Sequence, residues 1–254
     1  MSAVWVEIVN VRGSSPRDTG TAMRVDAKTL DGTIGGGALE HRAIAIAREM
    51  IAKDTPARIE RFALGPGLGQ CCGGAVTLRF DRTPKSVDPA PLPTHRERTR
   101  GARPAVPLWI WGAGHVGRAV VAAADPNVFQ LTWIDDAPDR FPNAVPDHVT
   151  TVPAADMARL AGAAPRAPHL IFTYSHQIDF ALCAALLRRD TLSVGLIGSA
   201  TKRARFFKRL RALGLDPARI TCPIGERSLG KAPHQIAAGT LAALSERTKV
   251  DRAS

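Results

Sequence analysis

Residues 108–117 read Leu-Trp-Ile-Trp-Gly-Ala-Gly-His-Val-Gly. An apolar run ends there in Gly112-x-Gly114-x-x-Gly117, and Arg118-Ala-Val-Val-Ala-Ala-Ala124 continues as a helix. Eighteen residues after Gly117 a second apolar run, Phe129-Gln-Leu-Thr-Trp-Ile134, ends in Asp135-Asp136. Strand, glycines, helix, strand and acid in this order mark a Rossmann-type unit. In such a unit Gly112 permits the tight turn, Gly114 lets a phosphate approach the backbone, and Gly117 lets helix and strand pack closely. The helix N-terminus then offers bare N–H groups and a positive dipole end to an anion. Asp135 or Asp136 stands where it can hold a ribose hydroxyl. The same glycines serve equally as scaffold alone, since a fold does not imply a function.

Downstream the pattern repeats. Strands are expected at Leu108–Trp111, Leu131–Ile134, His148–Val152, His169–Thr173, Ser193–Ile197 and Arg219–Cys222. Helices are expected at Val116–Ala124, Ala155–Ala161, Asp179–Arg188, Lys202–Leu213 and His234–Leu244. That alternation predicts a parallel sheet with helices on both faces. Upstream, Val4–Val11, Ala22–Asp26, Arg58–Leu64 and Ala75–Phe80 read as strands. Leu39–Ala52 reads as a helix with Leu39, Ala43, Ile46, Ala47 and Met50 on one face. The fold class is therefore α/β: a C-terminal Rossmann-type domain over 107–254 and a smaller N-terminal α+β domain over 1–82. Residues 83–106, rich in proline and carrying His95-Arg-Glu-Arg-Thr-Arg100, read as an exposed linker.

The chain of 254 residues has 34 basic and 23 acidic side chains, a net charge of +11, which favours anionic partners. Nucleic acid is not expected: Arg96–Arg103 has no interleaved aromatics, and Phe206-Phe207 within Lys202–Arg211 sit at core spacing. No apolar run is long enough to span a membrane. The N-terminus starts like a strand, without a basic leader, so a cytoplasmic protein is expected. Cys71, Cys72, Cys183 and Cys222 fit neither a disulfide framework nor a zinc pattern. Cys183 and Cys222 read as buried small hydrophobes.

In a parallel sheet, ligands lie beyond the carboxyl ends of the strands. Four loops there carry chemistry: Gly112–Gly117; Asp135–Pro142 with Arg140; Thr173-Tyr-Ser-His-Gln-Ile-Asp179; and Gly195–Arg203. In the last, Gly198, Ser199 and Thr201 precede a basic helix like an anion cradle. His176 and Asp179 are either a base with its orienting carboxylate or a loop residue and a helix cap. The cap is the better reading, because no nucleophile motif accompanies them. In the first domain Gly35-Gly36-Gly37 opens straight into a helix, a second anion site. The glycine-rich loop 65–74 surrounds Cys71-Cys72, whose thiols offer soft sulfur to a metal or a sulfur donor, or are incidental to the loop.

Nine segments occur in order: Gly13-Ser-Ser-Pro-Arg17, Gly32-Thr-Ile-Gly-Gly-Gly-Ala-Leu-Glu40, Gln70-Cys-Cys-Gly-Gly74, Gly112-Ala-Gly-His-Val-Gly117, Asp139-Arg-Phe-Pro142, Thr173-Tyr-Ser-His176, Gly195-Leu-Ile-Gly-Ser199, Cys222-Pro-Ile-Gly225 and Lys231-Ala-Pro-His-Gln-Ile-Ala237. Together, over residues 5–244, they resemble the XdhC/CoxI family of xanthine dehydrogenase accessory proteins. The resemblance implies a chaperone, not an enzyme. It would bind the molybdenum cofactor (molybdopterin), shelter it while a cysteine desulfurase exchanges an oxo ligand for sulfide, and deliver it to apo xanthine dehydrogenase or a related molybdenum hydroxylase. The implied cofactor contacts are Gly35, Gly36, Gly37, Cys71, Cys72, Gly73, Gly198 and Ser199, with Cys71 and Cys72 also the candidate metal ligands. Gly112, Gly114, Gly117 and Asp135 are the candidates for a nucleotide or phosphate. A homodimer is expected, symmetric dimers being the commonest oligomers. The alternative is a nicotinamide-dependent oxidoreductase that uses the Rossmann half, with His176 as its acid/base.

Overall fold

The computed structural model describes residues 3–65, 74–87 and 105–253. The chain divides into two compact units, Met1–Ala90 and Pro91–Ser254.

In the first unit five strands, β1 (Val4–Arg12), β2 (Ala22–Val25), β3 (Leu30–Gly32), β4 (Arg58–Ala63) and β5 (Ala75–Asp81), form an antiparallel sheet in the order β3-β2-β1-β5-β4. Alternation places Val4, Val6 and Ile8 of β1 and Val76, Leu78 and Phe80 of β5 on one buried face. The register confirms the pairing, with Val6 opposite Phe80 and Ile8 opposite Leu78. Helix α1 (Gly37–Lys53) covers that face with Leu39, Ala43, Ile46, Ala47 and Met50, the three-and-four spacing anticipated from the sequence. Strand β3 is too short and polar to show a period. It forms because Met23, Arg24 and Val25 of β2 pair with it across the Asp26–Thr29 turn. The Asp26 carboxylate holds that turn by accepting from the Lys28 and Thr29 N–H groups and the Thr29 hydroxyl.

The second unit holds six parallel strands: β6 (Val106–Trp111), β7 (Phe129–Asp135), β8 (Val149–Pro153), β9 (Pro168–Ile171), β10 (Ser193–Leu196) and β11 (Ile220–Thr221). Their order is β11-β10-β9-β6-β7-β8. The chain runs outward from β6 through β7 to β8, then returns to the other side of β6 and runs out through β9, β10 and β11. The direction of winding therefore reverses between β6 and β9, the switch point at which such sheets bind ligands. Helices α2 (His115–Ala123) and α6 (Pro233–Ala253) cover one face. Helices α3 (Met157–Ala161), α4 (His176–Leu187) and α5 (Ala200–Ala212) cover the other. Cys183 and Cys222 are buried and in no disulfide, and Phe206 and Phe207 lie in the core.

His169 on β9 is fully buried. Its Nδ1 accepts a hydrogen bond from the Trp111 indole at 3.3 Å, and Nε2 faces the Pro165 carbonyl at 3.3 Å. An accepting Nδ1 requires the neutral ring with its proton on Nε2. Burial lowers the pKa from 6.5 to about 4, against a smaller upward push from the Pro165 carbonyl. The folded value lies below the unfolded one, so the unfolded chain takes up this proton first. Stability is therefore complete above pH 6.5 and falls as the pH drops toward 4. The full loss from this residue is about 3 kcal/mol. Urea unfolding at pH 7, 5 and 4 should show that decline, and His169→Gln should make it shallower.

Candidate functional site

The glycine loop of the second unit is held by its neighbours from every side. Gly112 has φ +114°, a conformation that L side chains rarely adopt. A Cβ there would also come within 2.5 Å of the Phe172 carbonyl oxygen, so the end of β6 and the chain leaving β9 meet backbone to backbone. A Cβ on Gly117 would lie 2.0 Å from the Gly112 carbonyl oxygen, which fixes how closely α2 sits on the strand end. That carbonyl accepts from the Trp133 indole at 3.1 Å. Gly114, the cap residue of α2, has extended backbone and open space where a Cβ would stand. Turn, close packing and open approach thus fall to Gly112, Gly117 and Gly114 in the way the motif requires.

Asp135 ends β7 beside this loop, but it faces inward. One oxygen accepts the Ala113 N–H at 2.5 Å and the other accepts the Asp136 N–H at 2.7 Å. Burial raises its pKa against those two hydrogen bonds, and neighbouring Asp136 adds to the rise. As the loop stands, the residue expected to face a ribose is tied to the loop's own backbone. Asp136 is engaged as well, with Arg140 Nε donating to one oxygen at 3.0 Å and the Tyr174 hydroxyl to the other at 2.6 Å. Burial pushes its carboxyl up, but these hydrogen bonds outweigh it and hold the pKa below the usual carboxylate range. Arg140 also lies over the Tyr174 ring, 5.1 Å from its centre. Because β7 and β9 flank β6, the Asp136–Tyr174 hydrogen bond straddles the loop of the central strand. Arg118 on α2 ties the arrangement down, donating to the carbonyls of Ala113 and Arg140.

The loops after β9 and β10 correct two sequence readings. Helix α4 starts at His176 and is capped by Ser175, whose hydroxyl accepts from the N–H groups of Gln177 and Ile178. Asp179 is not the cap. It is fully buried, accepts the Thr173 hydroxyl at 2.6 Å and pairs with the buried Lys202 ammonium. Lys202 also donates to the Ile197 carbonyl at 2.9 Å. Both groups are satisfied, as a buried ion pair must be. Ser199 caps α5 by accepting the Lys202 N–H at 3.2 Å, and a Cβ on Gly198 would lie 2.6 Å from the Lys202 side chain. The expected anion cradle is thus occupied by a folded-back lysine. His176 borders the pair: burial and then the Lys202 charge lower its pKa to about 4, leaving a neutral imidazole.

In the first unit Glu40, one turn into α1, reaches back over the triple-glycine loop. Its Oε2 accepts from the Thr33 hydroxyl and from the N–H groups of Ile34 and Gly36, while Gly35 N–H goes to Thr33 Oγ1. The amides expected to receive an external anion are largely claimed by the protein's own carboxylate. Gly35, Gly36 and Gly37 all have positive φ, which no ordinary residue would sustain in succession. A Cβ on Gly35 would meet the Pro16 ring at 2.6 Å, and one on Gly74 would meet the Ser14 carbonyl oxygen at 2.3 Å. Loops 13–17 and 33–37 and Gly74 therefore close on one another. Ser15 and Arg17 are buried there, and the Ser15 hydroxyl has no hydrogen-bond partner among the described residues. Cys71, Cys72 and Gly73 lie outside the described residues.

Sequence reading missed the carboxylate clasps and the Asp179–Lys202 pair. Glu40 carried a faint signal, an acid in the first turn after a glycine stretch, close to the spacing of a capping box. The pair had none, since its members lie far apart in sequence.

Gly loops at the switch point of a parallel sheet, with an antiparallel glycine-loop unit ahead of it, define a two-unit protein of the Rossmann class. Residues 108–244, more than half of the chain, match the family described as the XdhC Rossmann domain, and residues 2–63 match the XdhC and CoxI family. The chain belongs to the XdhC/CoxI family. It is similar to the uncharacterized protein YqeB of Escherichia coli (strain K12), 25% identical over an alignment of 245 residues that covers 93% of this chain and 42% of that protein. The chain thus spans less than half the length of that relative. It is also similar to a solved xanthine dehydrogenase from Bacillus halodurans, at 18% identity, a TM-score of 0.49, and coverage of 98% of this chain and 92% of that one. Among the described residues no helix is long and apolar enough to cross a membrane.

The Gly contacts predict opposite responses. Gly117→Ala should cost about 1–3 kcal/mol or more, as an overpacked backbone contact does. Gly114→Ala should change stability by less than about 0.5 kcal/mol. Urea unfolding of the two variants measures the difference.

Proposed function

We propose that this protein is a molybdenum-cofactor chaperone. It binds molybdopterin, shelters it while a cysteine desulfurase installs the sulfide ligand, and delivers it to apo xanthine dehydrogenase or a related molybdenum hydroxylase. The carrying observation is the meeting of loops 13–17 and 33–37 with Gly74 in the first unit, beside a buried Ser15 hydroxyl with no hydrogen-bond partner among the described residues. Buried hydroxyls are rarely left so, and a ligand group supplies the missing bond. Buried Arg17 stands beside these loops as a cation for the phosphate. Cys71 and Cys72, which precede Gly74 in the chain, are the sulfur ligands we assign to the cargo's metal side.

For the second unit by itself, the ligand we infer is a nucleotide or phosphate at Gly112–Gly114 and the ends of β6 and β9. Gly198 and Ser199 belong to the rim of that crevice. Free nicotinamide nucleotide is the weaker reading, because Asp135 is turned onto Ala113 and Asp136 is held by Tyr174 and Arg140. We place the chaperone in the cytoplasm, as a homodimer, with cofactor handed over through transient complexes.

Protein co-produced with an active molybdopterin pathway should release oxidised, fluorescent pterin on denaturation, near one per chain. Cys71→Ala and Ser15→Ala should each lower that amount several-fold without loss of fold. Wild-type protein carrying no pterin under those conditions contradicts the proposal.

A further inference from the structure

Helix α5 reads Ala-Thr-Lys-Arg-Ala-Arg-Phe-Phe-Lys-Arg-Leu-Arg-Ala, with six cations and no acid in thirteen residues. Lys202 is turned inside to Asp179. The other five, Arg203, Arg205, Lys208, Arg209 and Arg211, are exposed. Among the described residues Lys202 is the only one of the six with an acidic partner. A surface of one sign without internal neutralisation is costly to keep and is suited to a partner of opposite sign.

Three of these guanidinium groups are already held in place. Arg209 lies over the Phe180 ring at 3.8 Å, Arg203 over Phe207 at 4.6 Å and Arg211 over Phe207 at 5.9 Å. Such stacking removes side-chain freedom before any partner arrives, which lowers the ordering cost of an interface. Leu213, just beyond the helix, is 52% exposed and offers an apolar anchor next to Arg211. Phe206 and Phe207 themselves are buried, so they are not platforms for unstacked bases. Ordered arginines around an exposed leucine match a protein interface better than a nucleic-acid track.

From these observations we infer that the outer face of α5 docks the acidic surface of a partner protein. On the chaperone reading above, that partner is the apo-enzyme receiving the cargo. The first turn of α5 carries Ser199 and Lys202 at the carboxyl edge of the sheet, beside His176. A protein seated on α5 therefore lies at the rim of the switch-point crevice.

The test uses the full chain and two probes, fluorescein-labelled deca-glutamate read by anisotropy and apo xanthine dehydrogenase read by interferometry. Reversing the cations that do not stack closely, Arg205→Glu, Lys208→Glu and Arg211→Glu together, should weaken both by about tenfold or more and make the residual binding less salt-dependent. An equal reversal on the first unit, Lys28→Glu, Arg42→Glu and Arg61→Glu, should change either by less than about twofold. The milder pair Arg205→Gln and Lys208→Gln serves if the triple variant does not fold, with a smaller loss expected. Pterin content should be unchanged in all of them. Equal losses in both reversal variants, or undiminished binding in the α5 variants, overturns the inference. So does ten-nucleotide oligothymidylate binding more tightly than deca-glutamate through the same residues, which makes α5 a nucleic-acid surface. Wild-type protein without pterin removes the chaperone reading instead, and the deca-glutamate comparison still decides the surface.

Discussion

The approach of Gly117 to the Gly112 carbonyl oxygen is the constraint on which the second unit depends. It sets the height of α2 above the sheet and the direction in which the chain leaves the central strand. Gly112 in turn lies against the backbone after β9, so the two strands flanking the switch point are fixed to each other at their carboxyl ends. Everything with chemical potential in this unit is placed relative to that junction: Asp135 and Asp136 on one side, Thr173 to His176 on the other, and the Lys202–Asp179 pair one strand further out.

The two units solve one problem in the same way. Each presents a glycine loop at a helix start, rich in amides that need acceptors. In each, a carboxylate of the protein supplies them, Glu40 to the 33–36 loop and Asp135 to Ala113. A buried amide without an acceptor costs more than the hydrogen bond is worth when made, so these clasps hold the loops in shape before any ligand arrives. They also restrict what arrives. A phosphate entering either loop meets a negative charge already in residence, and it must use Gly114's open side or the cations nearby rather than the whole ring of amides.

Much of the fold was legible because its signals are local. Alternation on β1 and β5, the three-and-four spacing of Leu39 to Met50, and the order of strand, glycines and acid at 108–135 all survive in the structure. What was not legible depends on partners distant in sequence. Asp179 looked like a cap because it follows a loop near a helix start, yet Ser175 performs that role and leaves Asp179 for Lys202. Ser199 and Gly198 looked like an anion cradle because small residues precede cations. The decisive fact is that Lys202 folds back inside, and no local pattern reports where a long side chain turns. The convergence of loops 13–17, 33–37 and 74 was similarly invisible, because it rests on strand pairing that brings Gly74 under Ser14.

If these closed loops are a cradle for a fragile anionic cargo, binding must be felt at their own amides. Hydrogen exchange followed by mass spectrometry on pterin-loaded and pterin-free protein reads this directly. Loading should slow exchange in residues 13–17 and 33–37, while helix α6 over 233–244 stays the same. Loaded protein whose exchange is unchanged in 13–17 and 33–37, with protection appearing elsewhere, would contradict the assignment of the cargo to these loops.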